Sequence, residues 1–274
     1  MAFKKRKKNH VSVFYVFSVA AATAVTAFIL IAMCFIVVKG IPYIPEAVHS
    51  DEVKFAIGLS IKTALISTVI CMALGIPAAY ALTRKRFVLS KVYNMIIELP
   101  LSVPNIMLGL SLLLMFSSIP GKALSAYGFK VIFNVNGIII AHILVNLPFI
   151  IRMMRTAFMN IDPRYEIIAG SLGAGNLKTF ILITLPLVKN YMIGAGVLAW
   201  SRALGEFGAT LMLVGATRMK TETLPTSIYL NMATGDTGPA MACAMILLFI
   251  SAVSLFITNK LNRSPGEHND DMRR

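Results

Sequence analysis

Six long stretches with almost no charged side chains constrain the fold more than any other feature of this sequence. They are 12–38, 55–83, 95–118, 131–151, 191–214 and 238–259. About 20 apolar residues are enough to cross a bilayer as a helix. Hydrophobic residues make up 57% of the 274-residue chain and charged residues 14%, which excludes a soluble domain and a disordered chain. The sequence therefore predicts an all-α integral membrane protein with six transmembrane helices.

The first apolar stretch follows the basic run Lys4–Lys8 and has to be distinguished from a secretory signal peptide. It is far longer than the apolar core of a signal peptide, which has about 7–15 residues. We therefore predict an uncleaved span. The predicted organisation is a basic N-terminal segment 1–11, a six-helix membrane domain 12–259 and a polar tail 260–274.

The net charge of +14 follows from where the lysines and arginines lie between the spans. With the N-terminus inside, eighteen of the 26 basic residues fall in cytoplasmic segments and six in external loops. This asymmetry predicts that both termini are cytoplasmic in a multi-pass protein of the cell membrane, in contact with lipid. The asymmetry explains the charge, so no nucleic-acid partner is expected.

The cysteines and histidines give no pattern for a disulfide or a metal site, and we expect no catalytic or metal-binding residue. Cys34, Cys71 and Cys243 lie in apolar runs without paired spacing, which indicates small buried side chains. His142 stands alone in an apolar run. We favour a hydrogen bond between packed helices for it, with a proton relay as the alternative.

The segment between spans four and five, Asp162–Pro186, is patterned like two short helices. Asp162 is a suitable N-cap and Pro163 suits the first helical position. Glu166 falls in the first turn, where a negative charge faces the positive end of the helix dipole. The residues that give this helix an apolar face at helical spacing are Ile167, Ile168 and Leu172.

Two glycines divide the segment. Gly173 and Gly175 end the first helix, and Asn176 caps a second helix that runs to Leu185, before Pro186. The pattern predicts a helical hairpin, 163–185, on the cytoplasmic face. Periodicity alone also fits an amphipathic hairpin that lies at the membrane interface.

Five residues of this hairpin fall at the spacing of a known signature: Ala169, Gly173, Ile183, Leu185 and Pro186. The hairpin thereby resembles importer permeases of the ATP-binding cassette (ABC) class. Their signature reads Glu-Ala-Ala, three residues, Gly, nine residues, then Ile-x-Leu-Pro. The sequence departs from it at residues 167–168, where two isoleucines replace Glu and the first Ala. Glu166 stands one position early.

The resemblance implies the fold of a type I ABC importer permease and a coupling role for the hairpin. In that class the hairpin docks into a groove of an ATPase subunit and transmits its closure. The residues that would carry coupling are Glu166, Ala169, Gly173, Ile183, Leu185 and Pro186. The sequence has no phosphate-binding loop of the form G-x-x-x-x-G-K-[ST]. We therefore expect no bound cofactor here, and ATP and Mg²⁺ to be used by a partner ATPase.

Spans three and five carry the candidate pathway residues. Pro100 and Pro104 interrupt span three, where a kinked pore-lining helix and a simple packing kink are both open. Arg202 and Glu206 in span five are four residues apart, which places them on one helix face. Either Arg202 meets anions in a pathway or the two form an ion pair that locks helices together. Thr210 follows one turn later and completes the set of gate candidates.

The run RALGEFGATLM, 202–212, is similar to the molybdate-type branch of oxyanion permeases. Residues that extend the similarity are Thr221, Thr223, Leu224, Pro225, Ile228 and Tyr229. Tungstate and sulfate permeases share parts of this pattern, and the resemblance covers about residues 55–259. It implies import of a tetrahedral oxyanion, with molybdate or tungstate expected and sulfate or thiosulfate as the alternative. The cargo would be delivered by an extracytoplasmic binding protein.

The loop 215–237 is the expected docking surface for that binding protein. Its candidates are Arg218, Lys220, Thr221 and Thr223, with the cations near an anion entry. From chemistry alone, an ordinary polar loop is the stronger interpretation.

The assembly implied by the resemblance is two copies of the chain, two ATPase subunits and one binding protein. A secondary transporter driven by an ion gradient is the main rival, and its only candidate carboxylates in the spans are Glu98 and Glu206. That class often shows internal repeats, and none is visible in the sequence. A membrane scaffold without transport activity is a second rival, but it would not require a docking hairpin.

Overall fold

The computed structural model describes residues 13–84 and 89–262. Within these ranges the chain is helical and contains no strand. Segment 1–11 and most of the predicted tail lie outside the described residues. The helices are α1 Val13–Gly40, α2 Ile44–His49, α3 Asp51–Arg84, α4 Ser90–Glu98, α5 Asn105–Ser117, α6 Ile119–Ala126, α7 Val135–Met159, α8 Arg164–Ser171, α9 Asn176–Thr179, α10 Leu185–Leu204, α11 Gly208–Val214, α12 Leu224–Ala233 and α13 Thr237–Asn262.

Six spans are accounted for in the described ranges, five by unbroken helices and one by a bent pair. The unbroken spans are Phe14–His49, Asp51–Arg84, Val135–Met159, Asn176–Leu204 and Thr237–Lys260. The sixth joins Ser90–Leu101 to Asn105–Ser117 through a bend of 107°. The predicted all-α membrane fold is therefore confirmed. The helices overrun several predicted limits, and α7 in particular continues to Met159.

Helices α3, α7 and α10 form the centre of the bundle, because small residues let their backbones approach closely. A Cβ atom built on Gly75 of α3 would lie 2.8 Å from Ile150 of α7. Cys71 is fully buried in the same contact, and its thiol lies 3.7 Å from the carbonyl oxygen of Ile143. Cys243 is also buried, but Cys34 on α1 is exposed, so burial of all three cysteines was a wrong expectation.

Helix α1 stands at the edge of the bundle and packs against α13. Gly40 at its end allows this contact, since a Cβ there would lie 2.9 Å from the Met241 carbonyl oxygen. None of the most apolar 18 residues of this span is buried. Lipid tails solvate such a surface as well as protein does, so a membrane helix needs few protein contacts.

Two of the predicted apolar stretches, 95–118 and 191–214, are broken at places where the sequence weakens the helix. Span three is split by a 3₁₀ turn, Leu99–Leu101, and α5 begins directly after Pro104. Proline donates no backbone hydrogen bond, so two prolines in five residues end one helix and start another. In span five, α10 ends at Leu204 and α11 starts at Gly208. Arg202 and Glu206 are therefore not on one continuous helix, contrary to the sequence prediction.

The two ends of the bundle differ. We call the end that carries α8 and α9 the hairpin end and the opposite one the loop end. Gly40 at the end of α1 meets Met241 near the start of α13, and this contact lies at the loop end. Because the spans alternate in direction, the start of α1 and the end of α13 lie at the hairpin end, with α8 and α9. The loop end carries α2, α6 and α12.

Candidate translocation site and coupling hairpin

The predicted hairpin is present, with one change in its second half. The side chain of Asp162 accepts a hydrogen bond of 2.9 Å from the Arg164 backbone, as expected of a cap. Gly173 follows α8 with φ of +84°, a conformation that side chains disfavour, so glycine is required for the turn. The backbone amide of Ala174 donates to the Ala169 carbonyl oxygen over 3.0 Å and closes the turn.

The sequence suggested that the second helix of the hairpin ends before Pro186, but in the structure it continues past this residue. It runs from α9 through a π-helical turn, Phe180–Thr184, directly into α10. A proline ring clashes with the carbonyl four residues earlier in a regular α-helix. For Pro186 that residue is Leu182, which lies in the π turn, so the wider turn accommodates the proline. The second half of the hairpin, α9, and the span-five helix α10 are thus continuous.

Glu166 faces the bundle rather than the outside. Its carboxylate accepts hydrogen bonds from Tyr80 Oη at 3.1 Å, Arg84 Nε at 3.0 Å and Thr184 Oγ1 at 3.1 Å. Arg84 also donates to the Ile161 carbonyl oxygen over 3.0 Å. The Glu166 and Arg84 side chains are 16% and 12% exposed. Of the predicted coupling residues, Glu166 is therefore the one that ties the hairpin to α3.

The outer surface of the hairpin is apolar. Ile167, Ile168 and Leu172 are 65%, 58% and 83% exposed, which confirms the apolar face predicted for α8. Leu177 of α9 extends it with 71% exposure, and sequence analysis missed this residue. We call these four residues the hairpin cap.

The signature residues divide into buried and open positions. Ala169 is buried at 4% exposure, and Ile183 and Leu185 are half-buried against the bundle. Pro186 is exposed, and nothing lies within 4 Å of a Cβ built on Gly173. The signature residues therefore shape the hairpin, and the hairpin cap is the apolar part of its exposed surface.

The two broken spans meet where α5 packs against α11, and we call this contact the junction. Glu206, 4% exposed, accepts a 2.6 Å hydrogen bond from Asn105 Nδ2 at the start of α5. Its other oxygen accepts a 2.9 Å bond from the Ala209 backbone at the start of α11. A Cβ on Gly109 would lie 2.5 Å from the Ala209 carbonyl oxygen. Sequence analysis missed Asn105. Its position directly after Pro104, where a new helix can begin, was the signal that could have identified it.

Arg202 is not paired with Glu206. Its guanidinium carbon lies 5.5 Å from the centre of the Phe149 ring, and its side chain is exposed. Among the ion pairs between described residues, Arg202 takes part in none. The locking ion pair is therefore wrong, whereas the anion pathway stays open. Glu98, the other span carboxylate, pairs with Arg155 over 3.0 Å at the hairpin end.

The remaining pathway candidates differ in how far their side chains are exposed. Pro104 is exposed and Pro100 is half-buried. Thr210 is fully buried, and its hydroxyl has no hydrogen-bond partner among the described residues. His142 is also buried, and its ring interacts with the backbone of Thr63 on the neighbouring helix α3, although neither ring nitrogen reaches ordinary hydrogen-bond geometry with a described residue.

The loop 215–237 is largely structured, because α12 lies within it. Thr221 and Thr223 are 0% and 2% exposed, so they cannot contact a docked protein in this conformation. The Thr223 hydroxyl forms a capping box with Thr226 at the start of α12. The backbone amide of Leu224 donates to Ser60 of α3 over 2.8 Å. These two threonines hold α12 in place, and a docking role for them stays a prediction that requires a different conformation.

Arg218 is engaged in local contacts, whereas Lys220 is exposed. The Arg218 guanidinium contacts Glu52 and donates to Asn231 Oδ1 over 2.9 Å. A cavity of about 220 Å³ beside it is lined by Glu46, Glu52 and Asp236. Carboxylates therefore outnumber the cation at this point, which argues against an anion entry at Arg218.

Comparison with known proteins supplies the context for these features. The family described as binding-protein-dependent transport system inner membrane component matches residues 71–265. The molybdenum transport system permease protein ModB of Mycobacterium tuberculosis is 34% identical over 235 residues, 81% of this chain and 89% of that protein. The sulfate transport system permease protein CysW of Synechocystis sp. is 29% identical over 232 residues, 84% of each chain.

The fold is shared with a solved transporter. A chain from the crystal structure of a bacterial alginate ABC transporter, in complex with a periplasmic protein bound to an alginate pentasaccharide, superimposes with a TM-score of 0.73. The match covers 91% of this chain and 93% of that chain at 18% identity. The permease relatives are transport subunits rather than enzymes. This chain is a multi-pass protein of the cell membrane, and it belongs to the family of binding-protein-dependent transport system inner membrane components.

Proposed function

We propose that the chain is the permease subunit of an ATP-driven importer for a tetrahedral oxyanion, with molybdate or tungstate as cargo. The observation that carries this proposal is the hairpin cap, four exposed apolar side chains on α8, on the turn after it and at the start of α9, at the hairpin end of the bundle. An apolar surface exposed to water is costly and marks a protein contact. A groove on an ATPase subunit fits a short helix with one apolar face.

The hairpin end is proposed to face the cytoplasm, where ATP and Mg²⁺ would be used by the partner ATPases. Arg84, Arg155 and Arg164 lie at this end, and the sequence pattern assigns the excess of lysine and arginine to cytoplasmic segments. The start of α1 and the end of α13 belong to the same end, so both termini would be cytoplasmic. The loop end would then receive the binding protein, with Lys220 as an exposed contact.

A second copy of the chain is proposed to complete the pathway. Arg202 is an exposed cation within span five, and a charge that faces lipid is costly. A second copy on this side would enclose the two arginines in a water-filled pathway and attract an oxyanion. The pathway would open at the junction, where the helices of both predicted stretches are already interrupted.

Molybdate is favoured over sulfate by the identity to ModB, 34% against 29% for CysW. The similarity to CysW keeps sulfate as the second candidate. Both are doubly charged tetrahedral anions, so Arg202 would serve either one, and selectivity would be set by the binding protein.

Reconstitution in proteoliposomes tests the proposal. The chain is combined with its ATPase and binding protein, and uptake of molybdate, tungstate and sulfate is measured with and without ATP inside. We expect ATP-dependent uptake with molybdate or tungstate preferred. Arg202→Gln is expected to lower uptake about tenfold, since a charge-assisted contact is lost. Uptake that persists without ATP and collapses with the proton gradient would establish the secondary transporter instead.

A further inference from the structure

We infer that Glu166 is a positioning residue that fixes the coupling hairpin rigidly to α3, so that the two move together in the transport cycle. The inference rests on the proposed function and adds a path for the motion, from α8 into α3. It concerns the set of contacts made by Glu166, Arg84, Tyr80 and Thr184, which we call the joint.

The joint connects elements that are far apart in sequence. Tyr80 and Arg84 end α3, Glu166 lies in α8, and Thr184 ends the π turn that leads into α10. Both carboxylate oxygens accept hydrogen bonds, one from Tyr80 and the other from Arg84 and Thr184. With its side chain 16% exposed, Glu166 has little surface left for a docked subunit.

The π turn is part of the joint. One extra residue per turn rotates every later side chain by about 100° relative to an α-helix, so it determines where Thr184 points. Here Thr184 is 1% exposed and donates to Glu166. A π turn is rare and less favourable than an α-helical one, and it persists where specific contacts require it. The Thr184 contact is one such requirement.

A cluster of three aromatic rings packs beside the joint. The Tyr80 ring lies 4.6 Å from Phe180 of the π turn and 5.6 Å from Phe158 of α7, measured between ring centres. The polar contacts therefore sit against packed rings rather than in open water. A charge-assisted contact that is shielded from water is stronger than one on the surface.

The consequence concerns how force would leave the hairpin. Without the joint, α8 would keep its packing against α9 and the π turn but would lose its polar contacts with α3, so a tilt of α8 would not be passed to α3 when an ATPase closes. With the joint, a displacement of α8 also displaces α3, which packs against α7 and α10 along the bundle. Rigid-body motion of this kind needs fixed contacts at the point of force.

The test uses the full complex with ATPase and binding protein, and it compares Glu166→Gln with Asp162→Asn. Asp162 is the matched control, because it is an acid of the same hairpin whose partner, Arg164, is 84% exposed. Three quantities are measured: recovery of the ATPase with the permease, ATP hydrolysis, and oxyanion uptake per ATP hydrolysed. We expect Glu166→Gln to retain the ATPase but to lower uptake per ATP about tenfold. The control should match the wild type in all three.

A milder variant keeps the test valid if Glu166→Gln does not fold. Tyr80→Phe retains the aromatic ring and removes one donor, with an expected loss of about threefold in uptake per ATP. The double variant Arg84→Gln/Glu166→Gln should lose less than the sum of the two single variants, because both substitutions remove the contact that Arg84 and Glu166 share.

The outcomes separate the inference from the function it rests on. Failure of the wild-type permease to retain the ATPase would overturn the proposed function itself. Retention together with unchanged uptake per ATP in Glu166→Gln and Tyr80→Phe would overturn the inference alone. Losses that add up in the double variant would show that Arg84 and Glu166 act separately, which also contradicts it.

Discussion

The joint at the hairpin and the junction of the broken spans both depend on a glutamate that bridges two helices, but their partners differ. Glu166 accepts three side-chain hydrogen bonds, one of them from a guanidinium. Glu206 accepts one from an amide side chain and one from a backbone amide, with no cation within 4 Å among the described residues. A carboxylate that lacks a counter-ion in a buried site is held less firmly.

The two sites therefore differ in how firmly they hold their helices together. The joint combines charge pairing, a π turn and aromatic packing, so separating its helices would break several contacts together. The junction combines two hydrogen bonds with a close glycine contact. Both of its helices, α5 and α11, begin at the junction, so no continuous helix crosses it. We therefore expect the joint to stay closed in transport and the junction to open.

The largest expected effect is on the packing of the junction. Gly109→Ala would place a Cβ atom 2.5 Å from the Ala209 carbonyl oxygen and 2.7 Å from its Cα atom. We expect a loss of about 3 kcal/mol in the free energy of unfolding, because both atoms belong to backbone that cannot rotate away. Thermal unfolding of the permease in detergent measures this loss.

Gly58→Ala is the matched control for that substitution, since nothing lies within 4 Å of a Cβ atom there. It should leave stability unchanged or raise it by up to about 1 kcal/mol through helix propensity. Equal effects of the two substitutions would show that the junction is not closely packed.

The second prediction concerns the outer face of the hairpin. Leu172→Glu should weaken binding of the ATPase by about 2 kcal/mol, roughly thirtyfold, because an anchor side chain is lost from a buried contact. Thermal stability of the permease alone should not change, since Leu172 is 83% exposed. Titration of the purified ATPase against the permease measures the affinity. Ile119→Glu, at an 85% exposed site on the loop end, should bind the ATPase normally.

The third prediction compares the two glutamates directly. Glu166→Gln leaves the Arg84 guanidinium without its carboxylate, and we expect a loss of about 1–2 kcal/mol in stability. Glu206→Gln breaks no ion pair within 4 Å among the described residues and keeps an oxygen that can accept a hydrogen bond, so we expect a smaller loss, under about 1 kcal/mol. Chemical denaturation in mixed detergent ranks the two variants. The reverse ranking would contradict the comparison.

The smallest expected effect lies at the loop end, away from both sites. Thr223→Ala removes the capping box of α12 and should cost about 1 kcal/mol in unfolding free energy. Uptake per ATP should be unchanged. A loss of binding-protein affinity without any loss of stability would instead restore Thr223 as a docking residue.

Sequence analysis predicted the spans and the hairpin because both follow from local patterns. Long apolar runs and the turn at Gly173 depend on residues that are neighbours in the chain. It also located the break in span three from Pro100 and Pro104. The break in span five was missed, because the run from Arg202 to Thr210 reads as a continuous apolar helix apart from its glycines.

The partners of the two glutamates required the structure. Tyr80 and Arg84 are 86 and 82 residues away from Glu166, and Asn105 is 101 residues away from Glu206. Helical spacing suggested Arg202 for Glu206, and only the end of α10 at Leu204 removes that pairing. The burial of Thr221 and Thr223 could not be predicted from the sequence either, because Ser60, which binds the start of α12, is 164 residues away in the chain.

Distances between spin labels, in the full complex with Cys34 replaced by serine, distinguish a joint that stays closed from a junction that opens. One labelled pair, at Ser171 and Leu74, spans the joint, and a second pair, at Met107 and Thr217, spans the junction. Each is measured without nucleotide and with ATP trapped in the closed ATPase dimer. We predict that the joint distance stays within about 2 Å while the junction distance changes by about 5 Å or more. A change confined to the joint, with the junction distance constant, would contradict the account.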